Sequence, residues 1–201
     1  MRNRTENQIT LIFIRHGETA ANKEQRYLGR TEEALSLEGR EKLLQAYRQS
    51  HYPEAEMVFI SPMRRCRETA RLLYPLVPKK EIPEWVEMDF GDFEGKNYED
   101  LKDDERYQEW IDSNGTLPFP NGESREAFMK RCMQGMDRMM QLLQEERTVA
   151  VIVHGGTIMA LLSSLCGGDY FDYQVRNGEG FVCSLNKNKD EEKWDITLQR
   201  L

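Results

Sequence analysis

Three short apolar runs, each cut off by charged or small residues, constrain the fold of this chain more than any other feature. Residues 9–14 (ITLIFI) stop at Arg15-His16-Gly17, residues 57–60 (MVFI) at Ser61-Pro62, and residues 148–153 (TVAVIV) at His154-Gly155-Gly156. A half-exposed strand would alternate polar and apolar side chains. Unbroken runs of this length, rich in β-branched residues, suit strands buried on both faces, as in a parallel sheet covered by helices. The intervening segments carry helical spacing. Residues 36–50 begin at Ser36 as N-cap and present Leu43, Leu44, Ala46 and Tyr47. Residues 62–73 come after a Ser61-Pro62 cap pair and set Cys66, Ala70 and Leu73 at i, i+4 and i+7. Residues 124–145 open on Ser124, with Met129, Met133, Met136 and Met140 on one face, predicted to be core. Residues 157–165 end at Gly167-Gly168, a natural helix stop.

The C-terminal stretch reads as a hairpin at a sheet edge, residues 180–185 and 194–201, around a solvated polar turn over residues 187–193. From about residue 86 to 124 the periodicity fades into glycine- and acid-rich sequence. The predicted fold is therefore α/β: a three-layer α/β/α sandwich with a mostly parallel central sheet, an antiparallel edge strand, and a small cap excursion over about residues 86–124. At 201 residues the chain is long enough to bury its own core, predicted as one domain over residues 1–201. With 28 Lys and Arg against 35 Asp and Glu, the net charge of −7 gives no long-range attraction for nucleic acid or a membrane surface. The first apolar run is too short for a secretory core, and no later segment approaches a membrane span. Cys66, Cys132, Cys166 and Cys183 form no CxxC pair and read as reduced core thiols, so a cytoplasmic location is expected.

Ligands of open α/β sheets bind at the carboxyl ends of the strands. Here those ends deliver Arg15-His16, Ser61 with Arg65 in the next helical turn, and His154. The remaining histidine, His51, sits in a polar connector. Gly155-Gly156 let the backbone approach a ligand closely, and the helix N-terminus behind them offers unpaired N–H groups to an anion. Two arginines, two histidines and a helix N-terminus at one rim make a phosphate cradle, because guanidinium forks match a tetrahedral anion. The same arginines would repel a divalent cation, so no metal is expected at His16 and His154. No GxGxxG is present, and Gly91-Asp-Phe-Glu-Gly95-Lys96 is one residue short of a P-loop and lacks Ser or Thr after the Lys.

Taken in order, these blocks resemble the histidine phosphatase superfamily, the phosphoglycerate mutase-like fold. The resemblance rests on Arg15-His16-Gly17-Glu18-Thr19 with Asn22 and Gly29 downstream, and on Ser61-Pro62-Met63-x-Arg65-Cys66-x-x-Thr69-Ala70. It continues in Glu87-Met-Asp-Phe-Gly91-Asp-Phe-Glu-Gly95, Gly122-Glu123-Ser124 and Val153-His154-Gly155-Gly156. It implies that His16 is the nucleophile that takes the phosphoryl group, with Arg15, Arg65 and His154 clamping its oxygens and Asn22, Gly29 and Gly155 as phosphate or substrate contacts. His16 must be neutral to attack, whereas His154, facing the dianion, can be protonated and act electrostatically. Glu87, four residues before Gly91, matches the proton donor, a role that needs a pKa raised by neighbouring acids or burial. Asp89, Asp92 and Glu94 keep that choice open.

The mutases of this fold carry a Tyr just before the glycine of the acid block, a Lys shortly after it, and paired arginines in the cap. Here those places read Phe90, Tyr98 and a cap without Arg or Lys from residue 113 to 124. The resemblance is accordingly to the small phosphatases of the family, including α-ribazole phosphatase and broad-specificity phosphatases. It implies a metal-independent, cofactor-free hydrolysis of a small phosphorylated metabolite, α-ribazole phosphate among the candidates, releasing inorganic phosphate, by a monomer or homodimer. Trp85, Phe90, Phe93 and Tyr98 are expected to form an apolar wall for the leaving group. The alternatives are mutase-type phosphoryl transfer and a non-catalytic phosphate-binding module.

Overall fold

A computed structural model describes residues 8–187 and 194–201. The strands are β1 (Gln8–Arg15), β2 (Met57–Ile60), β3 (Lys79–Glu81), β4 (Thr148–Val153), β5 (Gly180–Lys187) and β6 (Trp194–Arg200). The helices are α1 (Ala20–Lys23), α2 (Leu37–Arg48), α3 (Arg64–Leu73), α4 (Tyr98–Leu101), α5 (Glu105–Asp112), α6 (Arg125–Leu142) and α7 (Gly155–Cys166). One 6-stranded sheet runs in the order β3-β2-β4-β1-β5-β6. The first four of these are mutually parallel, β5 is antiparallel to β1, and β6 is antiparallel to β5. The predicted sandwich is present, with one difference: the antiparallel strand is β5, one place in from the edge, and β6 closes the edge outside it. A hairpin added to an antiparallel strand necessarily returns parallel to β1.

The unbroken apolar runs are explained by the sheet's two covered faces. Leu11, Phe13, Val149, Val151 and Val153 pack with Phe128, Cys132 and Met136 of α6 and Ile158 and Leu161 of α7. Ile12, Ile14, Val58, Ile60 and Ile152 point the other way, onto Leu43 of α2 and Cys66, Ala70 and Leu73 of α3. Each such side chain contributes roughly 1.5–3 kcal/mol by leaving water. On α6 the fully covered stripe is Phe128, Cys132, Met136 and Met139, while Met129, Met133 and Met140 are only partly buried along its margin. The methionine spacing thus finds the right helix and nearly the right face.

Other features depart from expectation. α3 starts at Arg64 with Met63, not Ser61, at its N-cap; Met63 makes no side-chain cap bond, and the Ser61 hydroxyl accepts Met63 N–H at 3.3 Å besides contacting His154. α7 starts at Gly155 rather than residue 157, with the extended backbone of His154 as its N-cap, and stops at Gly167, whose φ of 76° suits glycine. Cys66, Cys132 and Cys183 are buried, but Cys166, the last residue of α7, is exposed. The predicted turn lies, beyond residue 187, outside the described residues. β3 is unforeseen, since its three residues (KKE) carry no apolar signal. So are α4 and α5, capped by Asn97 and Asp104 and anchored by little more than Leu101 and Tyr107. Among the described residues no helix is long and apolar enough to cross a membrane.

Candidate active site

The ladder registers bring the chemistry together. Arg15 pairs with Val153 across β1 and β4, and Ile60 pairs with Ile152 across β2 and β4. The residues just beyond therefore emerge side by side: His16 N donates to Val153 O at 2.9 Å and Ser61 N to Ile152 O at 3.1 Å. Because β4 lies between β1 and β2, the chain order reverses here, the place where α/β sheets open a crevice.

His16 is 3% exposed, and its Nδ1–H donates to Gly17 O at 2.8 Å. The proton on Nδ1 leaves Nε2 with a bare lone pair. Burial, then the positive charges of Arg65 and Arg15, hold the ring well below its ordinary pKa and therefore neutral. Its main chain is braced from two sides. Gly17 N donates to Thr69 Oγ1 at 3.0 Å, and Asn177 Nδ2 donates to His16 O at 3.1 Å.

Arg15 donates from Nη1 to Val175 O at 2.8 Å, while its buried Nε has no hydrogen-bond partner among the described residues. Arg65 is fully buried and is held by carbonyls, donating from Nη2 to Gly29 O at 2.7 Å and from Nη1 to Thr31 O at 3.0 Å. Its Nε donates to His154 Nδ1 at 3.3 Å. The rings of His154 and His16 lie 5.2 Å apart, edge to face. In the free site, burial and the charge of Arg65 hold the His154 pKa well below its ordinary value, which favours the neutral ring. Gly155 backs onto the Arg15 guanidinium.

Of the four candidate carboxylates, Glu87 is the one that the structure places beside His154. It is 7% exposed, its Oε1 accepts from Met88 N at 2.9 Å, and its Oε2 lies 4.0 Å from His154 Nδ1. A Cβ on Gly156 would meet Oε1 at 2.7 Å, so glycine there makes room for the acid. Burial raises the Glu87 pKa, against Met88 N–H, Arg65 and Arg15; neighbouring acids are not the cause. Asp89 is paired with Arg30 at 3.2 Å, Asp92 with Arg106 at 2.7 Å, and Glu94 accepts from Gly29 N at 2.9 Å.

Gly29 is not brought to the cavity. Its N–H is taken by Glu94, its carbonyl by Arg65, and a Cβ there would meet Met88 O at 2.3 Å. Asn22 does line the cavity, with Oδ1 accepting from Thr19 N at 3.2 Å and Asn177 Nδ2 at 3.0 Å, so its own Nδ2–H pair is what it can offer a ligand. Asn177 escapes sequence reasoning; Asn-Gly at residues 177–178 signals a turn, and nothing local says that the side chain turns inward.

The cavity at this rim measures about 1100 Å³, far more than a phosphate needs. Tyr27, Phe90, Trp110 and Phe119 line its cap side, with Tyr27–Phe90 and Trp110–Phe119 ring centroids 5.1 and 4.8 Å apart. Of the wall predicted from sequence, only Phe90 serves: Trp85 and Phe93 are in the core and Tyr98 is 56% exposed outside. Opposite stand Met159 and Tyr170, with the Arg125 guanidinium 5.4 Å over the Tyr170 ring. Among the described residues no cluster of His, Cys, Asp and Glu could hold a metal ion.

Residues 11–197 match the histidine phosphatase superfamily (branch 1). The chain belongs to this superfamily. As a histidine phosphatase it stands among phosphomonoester hydrolases, and its relatives carry such names. It is 33% identical over 164 residues to the adenosylcobalamin/alpha-ribazole phosphatase of Escherichia coli (strain K12), covering 79% of this chain and 80% of that one. It is 30% identical over 188 residues to the phosphatase PhoE of Bacillus subtilis (strain 168), covering 92% and 91%. The crystal structure of the alpha-ribazole phosphatase from Shigella flexneri superimposes with a TM-score of 0.79 at 28% identity, covering 96% of each chain.

Proposed function

We propose that this histidine phosphatase hydrolyses small phosphomonoesters through a phosphohistidine on His16. The observation that carries the reading is the bare Nε2 of His16, fixed by its Nδ1–H bond to Gly17 O at 2.8 Å beside Arg15, Arg65 and His154. In the first step Nε2 forms a bond to phosphorus, the P–O bond to the alcohol breaks, and Glu87 gives its proton to the departing oxygen. In the second step water forms a bond to phosphorus, Glu87 takes the water's proton, the P–N bond breaks with its electron pair returning to His16 Nε2, and phosphate is released. Arg15, Arg65, His154 and Asn22 hold the oxygens, as phosphoryl transfer requires mainly positioning and charge neutralisation. Gly155 lets Arg15 lie against the backbone, and Gly29 orients Arg65. These arginines supply the positive charge that a divalent ion would otherwise bring, so the reaction is read as metal-independent.

The cap side of the cavity supports an organic part of the leaving group, while Arg125, Arg176 and Arg200 also line the cavity. Arg26 and Lys42 on its wall are each already paired with two carboxylates, Glu24 and Asp100 for the first, Glu18 and Glu38 for the second. Its aromatic side offers apolar contact instead. The alpha-ribazole phosphatase names of relatives agree with that chemistry, and α-ribazole phosphate is the first substrate to try.

Phosphate release from a panel of monoesters in EDTA, including α-ribazole phosphate, 3-phosphoglycerate and sugar phosphates, tests the reading. Release by the natural protein that falls by about 10⁴-fold or more in His16→Ala is expected. Equal release by both proteins would overturn it.

A further inference from the structure

The Ser61 hydroxyl stands apart from the helix-capping role that its sequence context suggests. Its Oγ lies 2.7 Å from His154 Nε2, and both residues are fully buried. The groups around that hydrogen bond set its direction. Arg65 Nε always carries a hydrogen, so His154 Nδ1, 3.3 Å away, must be the acceptor. A neutral ring then has its proton on Nε2, and Nε2–H donates to Ser61 Oγ. That oxygen also accepts Met63 N–H at 3.3 Å, and the Cys66 Sγ lies 3.7 Å from Nε2. Burial lifts the Cys66 pKa to about 12, so the thiol stays protonated. Donation from Ser61 O–H to Nε2 would put the ring proton on Nδ1, against the Arg65 Nε–H already aimed there.

We infer that Ser61 is a positioning residue that fixes the tautomer of His154, presenting Nδ1 as a bare acceptor toward Arg65 and Glu87, so that the site takes up a phosphomonoester as its monoanion. On binding, the O–H bond of the monoanion's P–OH group breaks and an Nδ1–H bond forms. The products of that transfer are a dianion and an imidazolium whose Nε2–H remains on Ser61. No outside acid or base enters. Arg65 Nε–H, displaced from Nδ1, turns to a phosphoryl oxygen. The groups facing the ring are Arg65 and Cys66 from α3, Arg15 from the end of β1 and His16 just beyond it, Glu87 from the cap segment, and Arg131 from α6. In the free site the three arginines and burial disfavour the cation, and only an incoming phosphate reverses that balance. The inference rests on the phosphoryl-transfer reading of the same site.

Long-range proton–nitrogen NMR of the full chain tests it, since each imidazole nitrogen reports whether it carries a proton. In phosphate-free protein His154 should be neutral with its proton on Nε2, and saturating inorganic phosphate should protonate both nitrogens. Ser61→Ala should lose that preference and reduce kcat/KM on the order of tenfold or more, with a changed pH profile. Ser61→Thr, which keeps the hydroxyl, should restore both. A proton on Nδ1, or an imidazolium, in the free natural protein would overturn the inference, as would Ser61→Ala with an unaltered tautomer and profile. Because the NMR arm uses inorganic phosphate, it reads Ser61 even if no monoester is hydrolysed, and that second failure would count against the proposed activity alone.

Discussion

The sheet rim and the cap face each other across one cavity but are held in place by different forces. At the rim, ladder registers set backbone positions, and hydrogen bonds such as Gly17 N to Thr69 Oγ1 and Arg65 Nη2 to Gly29 O lock side chains that are almost fully buried. On the cap, ring packing among Tyr27, Phe90, Trp110 and Phe119 does the holding, helped by exposed pairs such as Arg106 with Asp92. Exposed ion pairs of that kind contribute little, about 0–1 kcal/mol. The rim is therefore rigid where bond making needs registration. The cap is built from parts that can change without disturbing the cradle, which places chemistry on one wall and specificity on the other.

Three substitutions probe the two walls separately. Glu87→Gln, at their junction, should lower kcat by about 10²–10⁴-fold for esters of poorly leaving alcohols. The loss should shrink toward none for a nitrophenyl ester; an equal loss for both would remove Glu87 from the proton-donor role. Gly29→Ala lies behind the rim and should act through it. The added Cβ collides with Met88 O, so a stability loss of about 1–3 kcal/mol is expected together with a fall in kcat/KM for every substrate alike. An unchanged denaturation midpoint would show that the Arg65 support is softer than its contacts imply. Phe90→Ala, on the cap, should instead discriminate: release from an aromatic ester falls several-fold relative to ribose 5-phosphate, by about 1 kcal/mol. Parallel losses on both would contradict a separate specificity wall.

The smallest effect is on stability against pH. His16 and His154 are held below their ordinary pKa of 6.5, so their contribution is present above that pH and is lost as pH falls below it. Glu87 has the opposite sign: its pKa is raised from 4.5, so its contribution is present below 4.5 and is lost as pH rises. Urea midpoints at pH 7 and 5 should therefore fall on acidification, and Glu87→Gln, lacking the opposing gain, should fall more steeply. A midpoint independent of pH would contradict the buried neutral histidines.

The same division governs how much of the molecule is legible in its sequence. The runs at residues 9–14, 57–60 and 148–153 announce buried strands, and the residues at the end of each run are forced to the rim, so Arg15, His16, Arg65 and His154 can be placed together from sequence. Glu87 can be named, but burial as the cause of its raised pKa cannot, because burial is set by elements distant in sequence, as the tight approach of Gly156 from α7 shows. Ser61 reads as a cap because Ser-Pro is equally good helix-start chemistry, and only the buried neighbour decides which partner the hydroxyl takes. The cap wall expected from sequence is wrong in three of four residues, since hydrophobic residues at irregular spacing carry no information about which face they cover. Tyr27 and Asn177 reach the cavity from far along the chain in either direction, which no local pattern encodes.

Rapid acid-free quenching during turnover, with mass-spectrometric mapping of the phosphoryl group, asks directly which atom carries it. A transient phosphohistidine on Nε2 of His16, absent from His16→Ala and accumulating in Glu87→Gln only with well-leaving esters, is the predicted result. Steady phosphate release with no phosphoryl group on His16, or with one on another residue, would contradict it.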